Sequence, residues 1–123
     1  MFNGMISPRL EPVVNLNVIG TNGRTRRVEL VLDSGFDGDL SLPSSTIQEL
    51  GLQLLDNYET TLANGERAQF AGYEGQVEWH GRRRNMLVLE TVSESLLGMN
   101  LLWRNRITMD VVANGPVTIE ELE

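Results

Sequence analysis

The sequence predicts an all-β domain with one or two short helices, and three observations carry that expectation. Apolar and polar residues alternate at period two along several short runs. Clusters of glycine, asparagine and proline punctuate those runs at short intervals. Only two stretches carry helix-like spacing, and both are short. This pattern describes a β barrel or sandwich with minor helix.

The first run sets Val14, Leu16 and Val18 against Asn15 and Asn17. Turn residues at 20–23 then send the chain back through Val28, Leu30 and Leu32, which predicts a hairpin. Leu40-Ser41-Leu42-Pro43 reads as a strand, and hydroxyl caps with a terminal glycine bracket a short helix over 44–51. Residues 58–62 and 67–70 flank Asn64-Gly65, a dipeptide that takes the positive φ angles of a tight turn, so a second hairpin is expected. A third is expected from 76–79 and 85–89 around His80-Gly81. Leu96-Leu97-Gly98 leads into a short helix at 99–103, and 107–112 with 117–119 flank Asn114-Gly115-Pro116 as a fourth hairpin.

Composition narrows the function classes. A chain of 123 residues, 41% hydrophobic with four prolines, has the makings of one folded domain with a single core. No apolar run approaches the roughly 18 residues of a membrane helix, so no membrane partner is expected. Met1 to Met5 lack the basic flank and apolar stretch of an export signal, which predicts a cytoplasmic protein. The absence of cysteine removes disulfides, thiolate catalysis and thiolate metal sites together. A formal charge of −7 disfavours nucleic acid as a partner, and the run Arg82-Arg83-Arg84 reads as a solvated hairpin end.

One stretch carries chemistry. The strand-like run Val28-Glu29-Leu30-Val31-Leu32 delivers Asp33, Ser34 and Gly35 into a turn. Asp-Ser-Gly alone is ordinary turn chemistry. Its context is more specific: residues 30–43, Leu-Val-Leu-Asp-Ser-Gly-Phe-Asp-Gly-Asp-Leu-Ser-Leu-Pro, resemble the active-site segment of retropepsin-like aspartic proteases, particularly their small prokaryotic relatives. Downstream, Leu96-Leu97-Gly98-Met99-Asn100-Leu101-Leu102 resembles the apolar-apolar-glycine segment that packs behind the catalytic loop in that family. The resemblance spans about residues 10–120 and implies an N-terminal tail over 1–9 followed by one protease domain over 10–123. It further implies a closed acid-protease β-barrel built from hairpins.

The same resemblance implies a mechanism. Two carboxylates share one proton, one ionised to activate water and the other protonated to polarise the scissile carbonyl. A chain with one Asp-Ser-Gly supplies one of them, so a homodimer is implied, with Asp33 of each subunit meeting on the two-fold axis. A carboxylate pair of this kind titrates as a unit, and weakly acidic activity follows. The implied substrate is a peptide or protein, and no cofactor or metal is required. Ser34 would tie the two loops together through its hydroxyl, and Gly35 would allow close approach of backbone and substrate. Ala63, Asn64 and Gly65 fall where the family has its flap. Leu97 and Gly98 would pack behind the turn. Departures from the retroviral pattern are serine for the commoner threonine, Phe36 for a small residue and Asn100 where relatives often carry aspartate. Phe36 is expected to pack in the core or to narrow the substrate cleft. Asp37, Asp39 and Asp110 read as structural or solvent-facing carboxylates.

Rival readings are weaker. Asp33, Asp37, Gly38 and Leu40 fit positions one, five, six and eight of a calcium loop. Gly35 and Ser44 then break the pattern at positions three and twelve. His80, the single histidine, is expected in an exposed turn rather than in a zinc site or a triad. The remaining alternative is a dimeric peptide-binding or scaffolding module on the same fold, with Asp33 present but no efficient turnover.

Overall fold

The period-two alternation becomes strand after strand in the computed structural model, which describes residues 1–61 and 64–123. Among these residues there are ten strands: β1 (Phe2–Ile6), β2 (Pro12–Ile19), β3 (Thr25–Leu32), β4 (Leu40–Pro43), β5 (Gln53–Thr61), β6 (Arg67–Trp79), β7 (Arg82–Thr91), β8 (Leu96–Leu97), β9 (Asn105–Met109) and β10 (Pro116–Glu121). Two short helices, α1 (Ser44–Leu50) and α2 (Met99–Leu102), interrupt them. The protein is therefore all-β with minor helix.

The strands form one sheet in the order β5-β6-β7-β4-β8-β3-β2-β1-β10-β9. A second pairing of β6 with β2, Val18 opposite Val77 and Ile19 opposite Gln76, joins the central strands into a ring. Most neighbours are antiparallel, but β3 runs parallel to β8 and β4 parallel to β7. The parallel pairing of β3 with β8, together with an antiparallel pairing of β4 with β8, brings the end of β3 and the start of β4 against the segment preceding α2.

Register explains the core. Val14 lies opposite Leu30 and Leu16 opposite Val28, and all four are buried while Asn15 and Glu29 between them are exposed. One residue of slip would turn this whole set outward. Each fully buried Val or Leu contributes about 1.5–3 kcal/mol. Ile47 and Leu50 of α1, and Leu101 and Leu102 of α2, complete the same cluster. Among the described residues no helix is long and apolar enough to cross a membrane.

Three expectations are corrected. Residues 1–9 do not precede the sheet as a tail: β1 pairs with both β10 and β2, and Phe2 stacks on Trp79 at 4.8 Å. Its inward positions are Phe2, Gly4 and Ile6, and a glycine in so short a run hides the alternation. The strands expected at 67–70 and 76–79 are one thirteen-residue strand, β6. Gly72 looks like a loop residue, yet a Cβ there would lie 2.4 Å from the Tyr58 ring, so glycine is what allows β5 and β6 to pack through this point. His80 does sit in a turn, with φ 51°, but it is half-buried rather than exposed. Its Nε2 lies 2.7 Å from Asn105 Oδ1 and its ring packs on Phe2 and Trp79.

Candidate active site

β3 carries Asp33 to the junction of the parallel strands. Leu32 is in register with Leu97, and the Asp33 backbone N–H donates to Leu97 O at 3.0 Å. The chain then turns sharply. Asp33 Oδ1 accepts the Gly35 N–H at 2.8 Å, and the Phe36 N–H donates to Asp33 O at 3.2 Å. Aspartate suits this position because a short carboxylate reaches the backbone two residues on. Asp33 is half-buried, whereas Ser34 and Gly35 are exposed. Among the described residues nothing else hydrogen-bonds to the Asp33 carboxylate, which leaves Oδ2 available to solvent or substrate.

Behind the turn, backbone meets backbone. Gly98 N–H donates to Asp39 O at 2.8 Å, Met99 N–H to Phe36 O at 2.8 Å and Asn100 N–H to Gly38 O at 3.1 Å. Gly98 is required for this approach: a Cβ would stand 2.2 Å from Gly38 O and 2.6 Å from Phe36 Cδ2. Phe36 therefore packs over Gly38 and Gly98 and also lines the cleft in front of Asp33. Leu97 is fully buried beneath.

Asp39 has a larger part than sequence reasoning gave it. It is buried, with Oδ1 accepting the Asn100 side-chain amide at 2.7 Å and Oδ2 accepting the Leu87 N–H at 3.0 Å. One carboxylate thus joins the turn to α2 and to β7. Asn100, singled out earlier only as a departure from a pattern, is its partner. The signal was weak in sequence because Asp39 and Asn100 are 61 residues apart.

A cleft of about 410 Å³ opens over Asp33. Gly35, Phe36, Phe70, Leu89 and Leu96 supply much of its wall, and Asp33 and Glu94 are its ionisable groups. The β5–β6 hairpin reaches across it: Thr60, Thr61 and Phe70 face the cleft, and Thr60 Oγ1 donates to Asp37 Oδ1 at 3.3 Å. Asn64 and Gly65 are exposed and do not line the cleft. Ala63 lies outside the described residues. Thr60, Thr61 and Phe70 were missed because the turn dipeptide marks the tip of a hairpin and says nothing of which strand residues face inward.

A second depression meets the first at Asp33, Glu94 and Leu96 and is bounded by the 7–12 loop. On these two loops Leu10 is 82% and Val92 99% exposed, so bare apolar side chains flank Asp33. The 91–95 turn, which carries Val92, is anchored: Thr91 Oγ1 and Ser41 Oγ both donate to Glu94 O. No protein-family model matches this chain, and no curated protein matches its sequence.

Proposed function

We propose that this protein is an aspartic endopeptidase of the retropepsin-like type, working as a homodimer with Asp33 from each protomer at the shared site. The observation that carries the reading is the half-buried Asp33 carboxylate, with one oxygen tied to its own turn, at the base of a cleft crossed by a hairpin. In this reading the ring of strands is the closed acid-protease barrel. The exposed Leu10 and Val92 beside Asp33 support a second copy covering that face.

The chemistry needs both carboxylates. One ionised Asp33 takes a proton from water as its oxygen attacks the scissile carbonyl, and the protonated Asp33 of the partner gives its proton to the carbonyl oxygen. Collapse of the resulting diol breaks the C–N bond, and the amine leaves with a proton from the pair. The hairpin residues Thr60, Thr61 and Phe70 would lie along an extended peptide and exclude water.

Mass spectrometry of an unfolded protein substrate, incubated with wild type and Asp33→Asn from mildly acidic to neutral pH, tests the reading. The expected result is a set of peptides from wild type and a loss of at least about 10²–10⁴-fold in the variant. Cleavage that survives the substitution overturns it. A folded dimer that binds peptides and leaves them uncut would instead make the chain a peptide-binding module.

A further inference from the structure

A groove of about 570 Å³ that shares no lining residue with the Asp33 cleft lies between the β6–β7 turn and the segment that follows α2. Four of the ten basic residues of this acidic chain line it: Arg82, Arg83, Arg84 and Arg104. Trp79 is buried at its base, and Trp103 stands 71% exposed at its side. We infer that this groove is a docking site for an acidic peptide segment of a partner protein, one that sets carboxylates beside an apolar side chain.

The charges are the first argument. Arg82 pairs with Glu121 at 2.6 Å, whereas Arg83, Arg84 and Arg104 make no ion pair among the described residues. A guanidinium matches a carboxylate through a planar fork of donors, so four arginines lining one groove offer places for more than one carboxylate. The chain itself shows the ligand pattern: Glu121 is held by Arg82, and Leu122 beside it lines the same groove. Trp103 offers an open ring face to an aliphatic or aromatic neighbour of the carboxylates.

Backbone geometry is the second argument. Arg104 has φ 66°, a left-handed conformation that costs a non-glycine residue about 1–2 kcal/mol. Glycine or asparagine would hold that turn with less strain, yet the position carries an arginine that lines the groove beside three others. The two walls are joined by His80 Nε2 and Asn105 Oδ1, 2.7 Å apart. The Arg104 carbonyl accepts the Leu122 N–H at 2.9 Å, so the groove is held open by its own backbone. Nucleic acid fits less well, because the net charge of −7 gives no extended positive field around this local island.

The test uses the full chain and a fluorescein-labelled peptide of sequence Glu-Glu-Leu-Glu-Glu-Leu, followed by anisotropy at low salt. Saturable binding is expected. It should weaken at least about tenfold in an Arg83→Ala, Arg104→Gly double variant, and fall as salt is raised. Arg104→Gly also relieves the left-handed strain, so the variant keeps its fold, which its circular dichroism checks. Arg24→Ala, outside the groove, should bind as wild type does. The inference is overturned by the absence of saturable binding, by binding unchanged in the double variant, or by an oligothymidylate that binds more tightly than the peptide.

Discussion

The Asp33 turn and the β5–β6 hairpin face each other across one cleft, and they are held in opposite ways. Between residues 33 and 39 the turn is bound by five backbone hydrogen bonds and by the two-sided Asp39 carboxylate, which reach β8, α2 and β7. The outer part of the hairpin, residues 57–61 with 67–71, is paired only with itself, whereas β6 from Gly72 onward is paired with β7. Among the described residues, its ion pair joins Arg67 to Glu59 within the hairpin, and Thr60 to Asp37 is its side-chain tie to the turn. Near its tip the strand residues are exposed or half-buried, with no core behind them. A reacting group must be held within tenths of an ångström, whereas a cover over an extended substrate must open. The contrast is what a fixed carboxylate under a movable cover would require.

Gly98→Ala probes the fixed side most severely. A Cβ meeting Gly38 O at 2.2 Å cannot be relieved by rotating a side chain, so the turn or α2 must shift. A loss of about 3 kcal/mol in urea unfolding is expected, together with loss of any Asp33-dependent cleavage. An unchanged midpoint would mean the turn is not clamped. Asp39→Ala comes next, at about 2–3 kcal/mol, because it strands the Leu87 N–H and the Asn100 amide and leaves a void. Asp39→Asn keeps the shape and one acceptor and should cost less. If the two substitutions unfold at the same denaturant concentration, the carboxylate is not the joint described above.

Much of this contrast was legible beforehand and some was not. Alternation located β2 and β3, an apolar run located β7, and the turn dipeptides located the hairpins, because all these signals are local. The Asp-Ser-Gly turn and Leu97-Gly98 were visible as two segments, and the parallel pairing of β3 with β8 is what brings them together. Asp39 was read as merely structural or solvent-facing, since a buried carboxylate is identified by its donors, and these arrive from residues 87 and 100. β1 escaped for a related reason. Its partners are β2 and the distant β10, and a five-residue run holding a glycine does not announce a strand. The Arg82 to Arg84 run was likewise read as a solvated hairpin end, because Arg104 and Trp103 join it only in three dimensions.

On the hairpin side, Tyr73→Phe is the larger of two small effects. Tyr73 OH donates to Glu90 Oε1 at 2.9 Å, linking β6 to β7 below the cleft, and its loss should cost about 1 kcal/mol at neutral pH. This bond, then burial, then the negative charge of Glu90 hold the Tyr73 hydroxyl above its ordinary value of 10.0. A pKa raised on folding means the stabilisation is complete below pH 10.0 and is lost as pH climbs through the raised value. Wild type should therefore lose stability in strong alkali by a component that Tyr73→Phe lacks. Parallel unfolding curves for both proteins across that range would break the assignment.

Thr60→Val is the smallest and the most discriminating. It keeps the shape of the side chain and removes the donor to Asp37, an exposed contact at 3.3 Å worth about 0.5 kcal/mol or less. Global stability should scarcely move. Local opening should move, because this bond is the hairpin's side-chain tie to the turn and exposed segments with few buried contacts open independently of the core. Hydrogen exchange is expected to quicken at β5 and β6 amides near residues 58–61 and 67–70, while the Gly98, Met99 and Asn100 amides, which hold the Asp33 turn, keep their protection. If both sets quicken together, turn and hairpin open as one unit, and the division between fixed floor and movable cover fails.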